Sequence, residues 1–216
     1  MVFRDKGPRQ NLRTETFAMA SEIAYLGLNE KKATTQHTIQ VKWLWPPINW
    51  FKVNSDGSSL GNPGIVGGGG LIRNENGEWV RGYARAVGAT TSVIAELWAL
   101  RNGIRLCIAL NLQAVIFELD AKLVVDLLSK DERLESGNDT ILLDYRKGLG
   151  DIPMVRIQHC YREANKCADA LARRGAWLSQ DFVIFLDPPL DVSLLLSLDA
   201  IRTLYDHNVS AADHFV

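Results

Sequence analysis

The segment Val53-Asn54-Ser55-Asp56-Gly57-Ser58-Ser59-Leu60-Gly61-Asn62-Pro63-Gly64 constrains the fold more than any other stretch of the chain. Trp50, Phe51 and Val53 have the aromatic and β-branched character of a buried strand, whereas Gly57, Gly61, Asn62, Pro63 and Gly64 are turn residues. The pattern predicts a core strand that ends in the carboxylate of Asp56. An aspartate there has an ordinary explanation, because Asp opens turns by bonding its own backbone. Three further acids stand in comparable places downstream, beside apolar sequence where an unpartnered charge is costly.

Asn76-Gly77 predicts a two-residue hairpin between Leu71-Ile72-Arg73 and a strand from Glu78 to Ala86, giving three antiparallel strands in a row. The run Gly67 to Gly70 is not followed by the Gly-Lys-Ser/Thr of a phosphate-binding loop, so close backbone packing within a strand is the better reading. Ile94, Leu97, Trp98, Arg101, Ile104, Arg105 and Ile108 recur with helical period over Thr91 to Leu110. Glu96 lies in the first turns of that helix, a place the macrodipole also favours for any acid. Ala114 to Leu119 reads as a strand covered on both faces, and Asp120 ends it. Short helices over 122 to 129 and 140 to 147 and a strand from Val155 to Cys160 follow. The last core helix, Ala164 to Trp177, turns Ala168, Leu171 and Ala172 inward with Asp169 beside them.

A chain of 216 residues, 47% hydrophobic, suffices for one core with flanking segments. The expected division is an N-terminal arm or linker over 1–44, with one helix at Thr16 to Leu28, a core domain over 45–178, and a C-terminal extension over 179–216. The extension carries a helix over Val192 to Tyr205 and ends in a frayed tail from Asp206. The formal net charge of −1 excludes a broadly basic nucleic-acid glove, so a polyanion would have to be held by a local patch. Three cysteines, Cys107, Cys160 and Cys167, lack zinc-ligand spacing and indicate buried thiols in a reducing compartment. No apolar run approaches the ~18 residues that cross a bilayer, and no signal-peptide core is present. The expectation is a soluble intracellular protein of nucleus or cytoplasm with no membrane partner. Arg4, Lys6, Arg9 and Arg13 keep an organelle address as the minority reading, and nothing in the sequence specifies an oligomeric state.

The four acids thus comprise Asp56 and Asp120 at strand ends, Glu96 early in one helix and Asp169 in a late one. Acids distant in sequence that meet at one point repel each other and lose hydration, so such a cluster persists only where a cation neutralises it. All-oxygen ligands suit Mg²⁺ or Mn²⁺, with waters and a substrate phosphate completing the octahedra. A site of this kind suits phosphodiester cleavage with two ions ~3.5 to 4 Å apart.

Asp56-Gly57-Ser58 with Gly61-Asn62-Pro63-Gly64, then Ala95-Glu96-Leu97, Glu118-Leu119-Asp120, and Asn165 with Ala168-Asp169 together resemble type 1 ribonuclease H. Trp45-Pro46-Pro47 and Arg162-Glu163-Ala164-Asn165 are similar to the ribonuclease H-like domain of many plant proteins and of plant non-LTR retroelement reverse transcriptases. The resemblance spans about residues 45 to 178. It implies an α/β ribonuclease H-like fold with a mixed five-stranded sheet, three antiparallel strands followed by parallel ones, flanked by helices. It also implies endonucleolytic cleavage of the RNA strand of an RNA–DNA hybrid. Asp56, Glu96, Asp120 and Asp169 would then be the catalytic ligands of two Mg²⁺ ions, with Glu96 also touching the 2′-hydroxyl that marks RNA. Gly57, Ser58, Asn62, Ser92, Arg162, Asn165 and Lys166 would meet the nucleic acid, Asn62 mainly through its backbone.

Several positions depart from that pattern. Ser92-Val93 stands where asparagines often precede the helix-borne glutamate, and Lys130 to Asn138 is acidic on balance where some members carry a basic protrusion. Both imply modest hybrid affinity. His159 has the separation from Asp169 of a histidine thought to aid proton transfer or product release in many members, but its place at a strand end favours a structural role. Arg173 and Arg174 read as a solvated helix face. The competing reading is a retroelement-derived nucleic-acid-binding or interaction module with little or no catalysis. A nucleophilic His159–Cys160 pair is disfavoured, because adjacent strand residues point to opposite faces.

Overall fold

The computed structural model describes residues 36–61, 64–129 and 140–210. Among these residues eight strands and five helices follow one another: β1 (Gln36–Val41), β2 (Phe51–Gly61), β3 (Gly64–Arg73), β4 (Trp79–Thr90), α1 (Ser92–Ala109), β5 (Ala114–Leu119), α2 (Lys122–Ser129), α3 (Thr140–Gly150), β6 (Met154–His159), α4 (Lys166–Ala176), β7 (Phe182–Phe185), α5 (Leu190–Ala200) and β8 (Tyr205–Ser210). A 3-10 turn at Arg162–Ala164 precedes α4. The main sheet is six-stranded and mixed, in the order β6-β5-β2-β3-β4-β7. The successive pairs β2–β3, β3–β4 and β4–β7 are antiparallel, while β5 lies parallel to both β2 and β6.

The sheet has helices on both faces, and the glycine run at its centre makes this possible. A Cβ on Gly68 would press on Ala95 and Ala99 of α1, whereas a Cβ on Gly67 or Gly69 would fall within 2.5 Å of the backbone of α4 at Ala172, Gly175 or Ala176. Alternate residues of one strand therefore let two helices approach from opposite sides, as the period of two requires. Leu97 and Leu100 of α1 pack with Val53, Ile72, Tyr83, Val115, Phe117 and Leu119 of the sheet, joined by Val124 from α2 and Tyr145 from α3. On the other face a smaller core joins Leu71 to Cys167, Ala168 and Leu171 of α4 and Val192 of α5.

Five local expectations need correction. Asp56 does not end its strand. β2 continues to Gly61, and Asp56 sits opposite Gly69 within an unbroken antiparallel ladder. Gly57 is a site of close approach rather than turn punctuation, since a Cβ there would lie 2.3 Å from Glu96 N. The Asn76-Gly77 loop is not a two-residue turn: Asn74 and Glu78 pair around three residues, Gly77 alone takes a left-handed φ of 74°, and Asn74 Oδ1 accepts from the Asn76 and Glu78 amides. The sheet has six strands rather than five, because Phe182–Phe185 pairs with the outer edge of the long β4. The tail expected from Asp206 instead begins in β8, which pairs antiparallel with β1 and gives the segment ahead of Trp43 a strand. Val41 and Val209 are the buried residues of that ribbon, and Thr38 donates to Asn208 across it. The helix expected over 192 to 205 is α5, which ends where Arg202 takes a left-handed φ of 57°. The helix expected at 16 to 28 lies outside the described residues.

Candidate active site

β2, β5 and α1 carry the acids to one place. The parallel register sets Asn54 against Glu118, so Asp56 within β2 and Asp120 just past the end of β5 each lie two residues further on. α1 begins just beyond β4, with Thr91 as its N-cap accepting from the Ile94 amide at 3.4 Å, and its first turns lie over Gly57. Only glycine at 57 lets the helix settle there, and the Gly57 amide then donates to the Glu96 carboxylate. Asp56, Glu96 and Asp120 place one oxygen each within 4.8 Å of one another. Among the described residues they form the one such acidic group.

Asp56 is 3% exposed and Glu96 7%, while Asp120 is half-buried. Burial and the Asp120 charge push Asp56 up to about 7. Burial first, then Asp56 and Asp120, hold Glu96 well above the usual carboxylate range, so its neutral carboxyl donates to Asp56. Burial also raises Asp120, against a hydrogen bond from its own backbone amide and then the charge of Arg162. Glu96 Oε2 and Asp120 Oδ1 are buried without a hydrogen-bond partner. Unpartnered buried oxygens are uncommon in folded proteins and call for an explanation. A hard divalent cation fits this donor set, since it takes oxygen ligands and removes the repulsion that keeps protons on the cluster.

Asp169, in the first turn of α4, stands close enough to raise Asp56 but lies outside the group of three. Arg173 holds it, Nε to Oδ1 at 3.1 Å and a second nitrogen to Oδ2 at 2.8 Å. Arg173 is therefore ion-paired as well as solvated, and so is Arg174, which meets Asp191 at 2.7 Å.

The profile of a family described as reverse transcriptase-like matches residues 54–175, more than half of the chain and all four acids. The chain belongs to this family. A protein of Arabidopsis thaliana, provisionally named a ribonuclease H protein, is 35% identical to it over 162 residues, 74% of this chain and 26% of that protein. The chain thus spans about a quarter of the length of that relative. Among solved structures, ribonuclease H1 of the archaeon Halobacterium salinarum is similar with a TM-score of 0.53 and 26% identity, over 58% of this chain and 96% of that one. The compost-derived LC11 ribonuclease H1, crystallised with an RNA/DNA hybrid, gives 0.50 and 24%, over 58% of this chain and 96% of that one. The fold is ribonuclease H-like.

The other residues singled out in this reverse transcriptase-like domain are dispersed. Ser58 is half-buried on β2 opposite Gly67, and Ser92 opens α1. Arg162 is close enough to lower both Asp56 and Asp120. Asn165 is buried and donates to the Ser55 carbonyl at 3.0 Å, tying the start of α4 to β2. Lys166 lies over the Tyr205 ring at 3.5 Å. His159 is exposed at the end of β6, its Nε2 3.2 Å from the Asp120 carbonyl and its ring edge-on to Tyr161. Asn62 and Lys130 to Asn138 lie outside the described residues. Among the described residues no helix is long and apolar enough to cross a membrane.

Sequence reasoning missed a buried polar network behind the acids. Glu118 accepts from Lys52 at 2.7 Å, Gln158 at 2.6 Å and Asn54 at 3.0 Å. Asn54 Oδ1 accepts from Trp43 and Arg73, and Arg73 pairs with Asp199 at 2.6 Å. The signal was present in the alternation Lys52, Asn54, Asp56, which put polar side chains at every second position of a strand whose neighbours are apolar.

Proposed function

We propose that this domain hydrolyses the RNA strand of RNA–DNA hybrids with Mg²⁺, for which Mn²⁺ would substitute. The observation that carries the reading is the convergence of Asp56, Glu96 and Asp120 within 4.8 Å, with carboxylate oxygens left unpartnered. The plant relative's name supports the same substrate class, and a protein of this fold has been crystallised on such a hybrid.

Bound Mg²⁺ would supply the charge neutralisation and Lewis acidity that phosphodiester hydrolysis needs. Asp56, Glu96 and Asp120 would hold it, with Asp169 recruited from Arg173. Arg173 is the exposed partner of that pair, and ion pairs open to solvent are worth only about 0 to 1 kcal/mol, so the release would cost little. Glu96 would release its proton to such an ion, whose charge would offset the burial and the neighbouring Asp56 and Asp120 charges that raise it. Its place beside Gly57 and the first turn of α1 suits it to accept a hydrogen bond from a 2′-hydroxyl, the group that separates RNA from DNA. Gly57, Ser58, Asn62 and Ser92 would present backbone and hydroxyl groups to the hybrid, while Arg162 and Lys166 would attract its phosphates. Asn165, buried against Ser55, would act by holding α4 to β2.

A second reading, a hybrid-binding module that has lost turnover, is favoured by the engagement of both Asp169 oxygens with Arg173. Calorimetric titration with Mg²⁺ separates the two. The enzymatic reading expects uptake by the wild type and loss of uptake in a folded Asp120→Asn variant. A folded wild type that takes up no divalent ion refutes it.

A further inference from the structure

The family profile ends at residue 175, yet one carboxylate beyond it reaches the centre of the molecule. Asp199, in the last turn of α5, pairs through Oδ2 with Arg73 at 2.6 Å, and the Cys167 thiol lies 3.5 Å from the same oxygen. Arg73 is 1% exposed, stacks on the Trp43 ring at 3.4 Å, and passes the contact on to Asn54 Oδ1 at 2.7 Å. Asn54 in turn holds Glu118 Oε2, whose other oxygen is fixed by Lys52 and Gln158. One continuous buried network therefore runs from α5 through β3 and β2 to β5, and the exposed Gln158 of β6 closes its far end.

Its members stand in a telling relation to the acids. Asn54 lies two residues before Asp56, Glu118 two before Asp120, and Cys167 two before Asp169. On the strands, a separation of two places side chains on the same face one step apart. We propose that Asp199 is a positioning residue for the acid cluster: by fixing Arg73, and through it Asn54 and Glu118, it sets the spacing of the carboxylates that receive the cation. This rests on the ion-binding reading of Asp56, Glu96 and Asp120.

Charge must balance within this closed volume. Lys52 and Arg73 are two buried cations, and Glu118 and Asp199 are the two anions that match them. A guanidinium does not give up its proton in proteins, so without Asp199 the Arg73 charge stays buried and must find another acceptor. The acceptors left within the network are Asn54 Oδ1, which already takes Arg73 and Trp43 and would have to take more of the guanidinium, and the carboxylate of Glu118 beyond it. Either shift would drag β2 or β5 out of the register that aligns Asp56 with Asp120. Metal sites need their ligands held to within about 0.5 Å, so a small shift is enough to weaken one.

The test uses the full chain and compares Asp199→Asn with Asp191→Asn, a change to an exposed pair on the same helix. Circular dichroism and thermal unfolding report the fold, Mn²⁺ calorimetry reports the cluster, and hybrid titration separates kcat from KM. The proposal expects folded Asp199→Asn with Mn²⁺ affinity and kcat each reduced about tenfold and KM unchanged, and Asp191→Asn equal to wild type. Should Asp199→Asn fail to fold, the charge-free pair Arg73→Met with Asp199→Leu replaces it, because matched apolar residues often restore a core that lost a buried ion pair. This pair is expected to fold and still bind Mn²⁺ about tenfold more weakly. Either variant, folded and with wild-type Mn²⁺ affinity, overturns the proposal. Wild type that binds no Mn²⁺ overturns the ion-binding reading itself, and this proposal with it.

Discussion

Replacing Asp56 by asparagine is predicted to stabilise the metal-free protein while destroying its affinity for divalent ions. Burial and the Asp120 charge raise Asp56 to about 7 in the folded state. Between the ordinary aspartate value near 4 and that raised value, the folded protein binds more protons than the unfolded chain. Stability is therefore fully present at acid pH and falls as pH rises through this window. At about 1.4 kcal/mol per pH unit the full shift corresponds to roughly 4.5 kcal/mol, and sharing of the proton with Glu96 reduces the loss complete near pH 7 to on the order of 2 to 4 kcal/mol. Asparagine keeps the shape and the oxygen that accepts from Glu96 but cannot ionise, so it escapes the loss. Thermal unfolding in chelator at pH 8 should show Asp56→Asn melting roughly 4 to 16 °C above wild type, with the gain vanishing near pH 4. Added Mg²⁺ should raise the melting temperature of wild type and leave the variant unmoved. A variant less stable than wild type at pH 8, or a gain independent of pH, refutes the account of the cluster.

Three further outcomes follow from the same geometry. Gly57→Ala brings a Cβ to within 2.3 Å of Glu96 N and 2.6 Å of Ala95 C, so it should destabilise by about 1 to 3 kcal/mol in urea unfolding and abolish ion uptake. Lys52→Met leaves Glu118 buried without its cation and should lower stability by about 3 to 5 kcal/mol in the same assay, with much of the loss recovered in the double variant Lys52→Met, Glu118→Gln. His159→Ala removes a ring whose recorded contacts are the Asp120 carbonyl and Tyr161, and strand-resolved kinetics should show less than a tenfold drop in hybrid cleavage.

The order of the core elements was legible because strand and helix periods are strong in α1, β5 and α4. The acids were legible because a carboxylate beside apolar residues demands a reason. The position of Asp56 within its strand was not, since glycine serves both turns and close packing. At Gly57 the packing of α1, invisible in a local window, decides between them. The ribbon of β1 and β8 was hidden because its partners are about 170 residues apart in sequence and its alternation is mostly polar. β7 is only four residues long, and its strand character comes from the free edge of β4. Lys52 and Asn54 look like solvent-facing positions on a half-buried strand. They are buried because Trp43 and Asp199, from opposite ends of the described chain, close over that face. The Asp169–Arg173 pair was readable as a helical i, i+4 spacing, but its hold on both oxygens of the fourth acid was not.

The most direct test of the central claim is strand-resolved cleavage of a labelled RNA–DNA hybrid in Mg²⁺ and Mn²⁺, beside duplex DNA, duplex RNA and the Asp120→Asn variant. The account predicts cutting of the hybrid's RNA strand alone, dependent on the divalent ion and lost in the variant. A folded wild type that binds hybrid without cutting it, or activity that survives in Asp120→Asn, would contradict it.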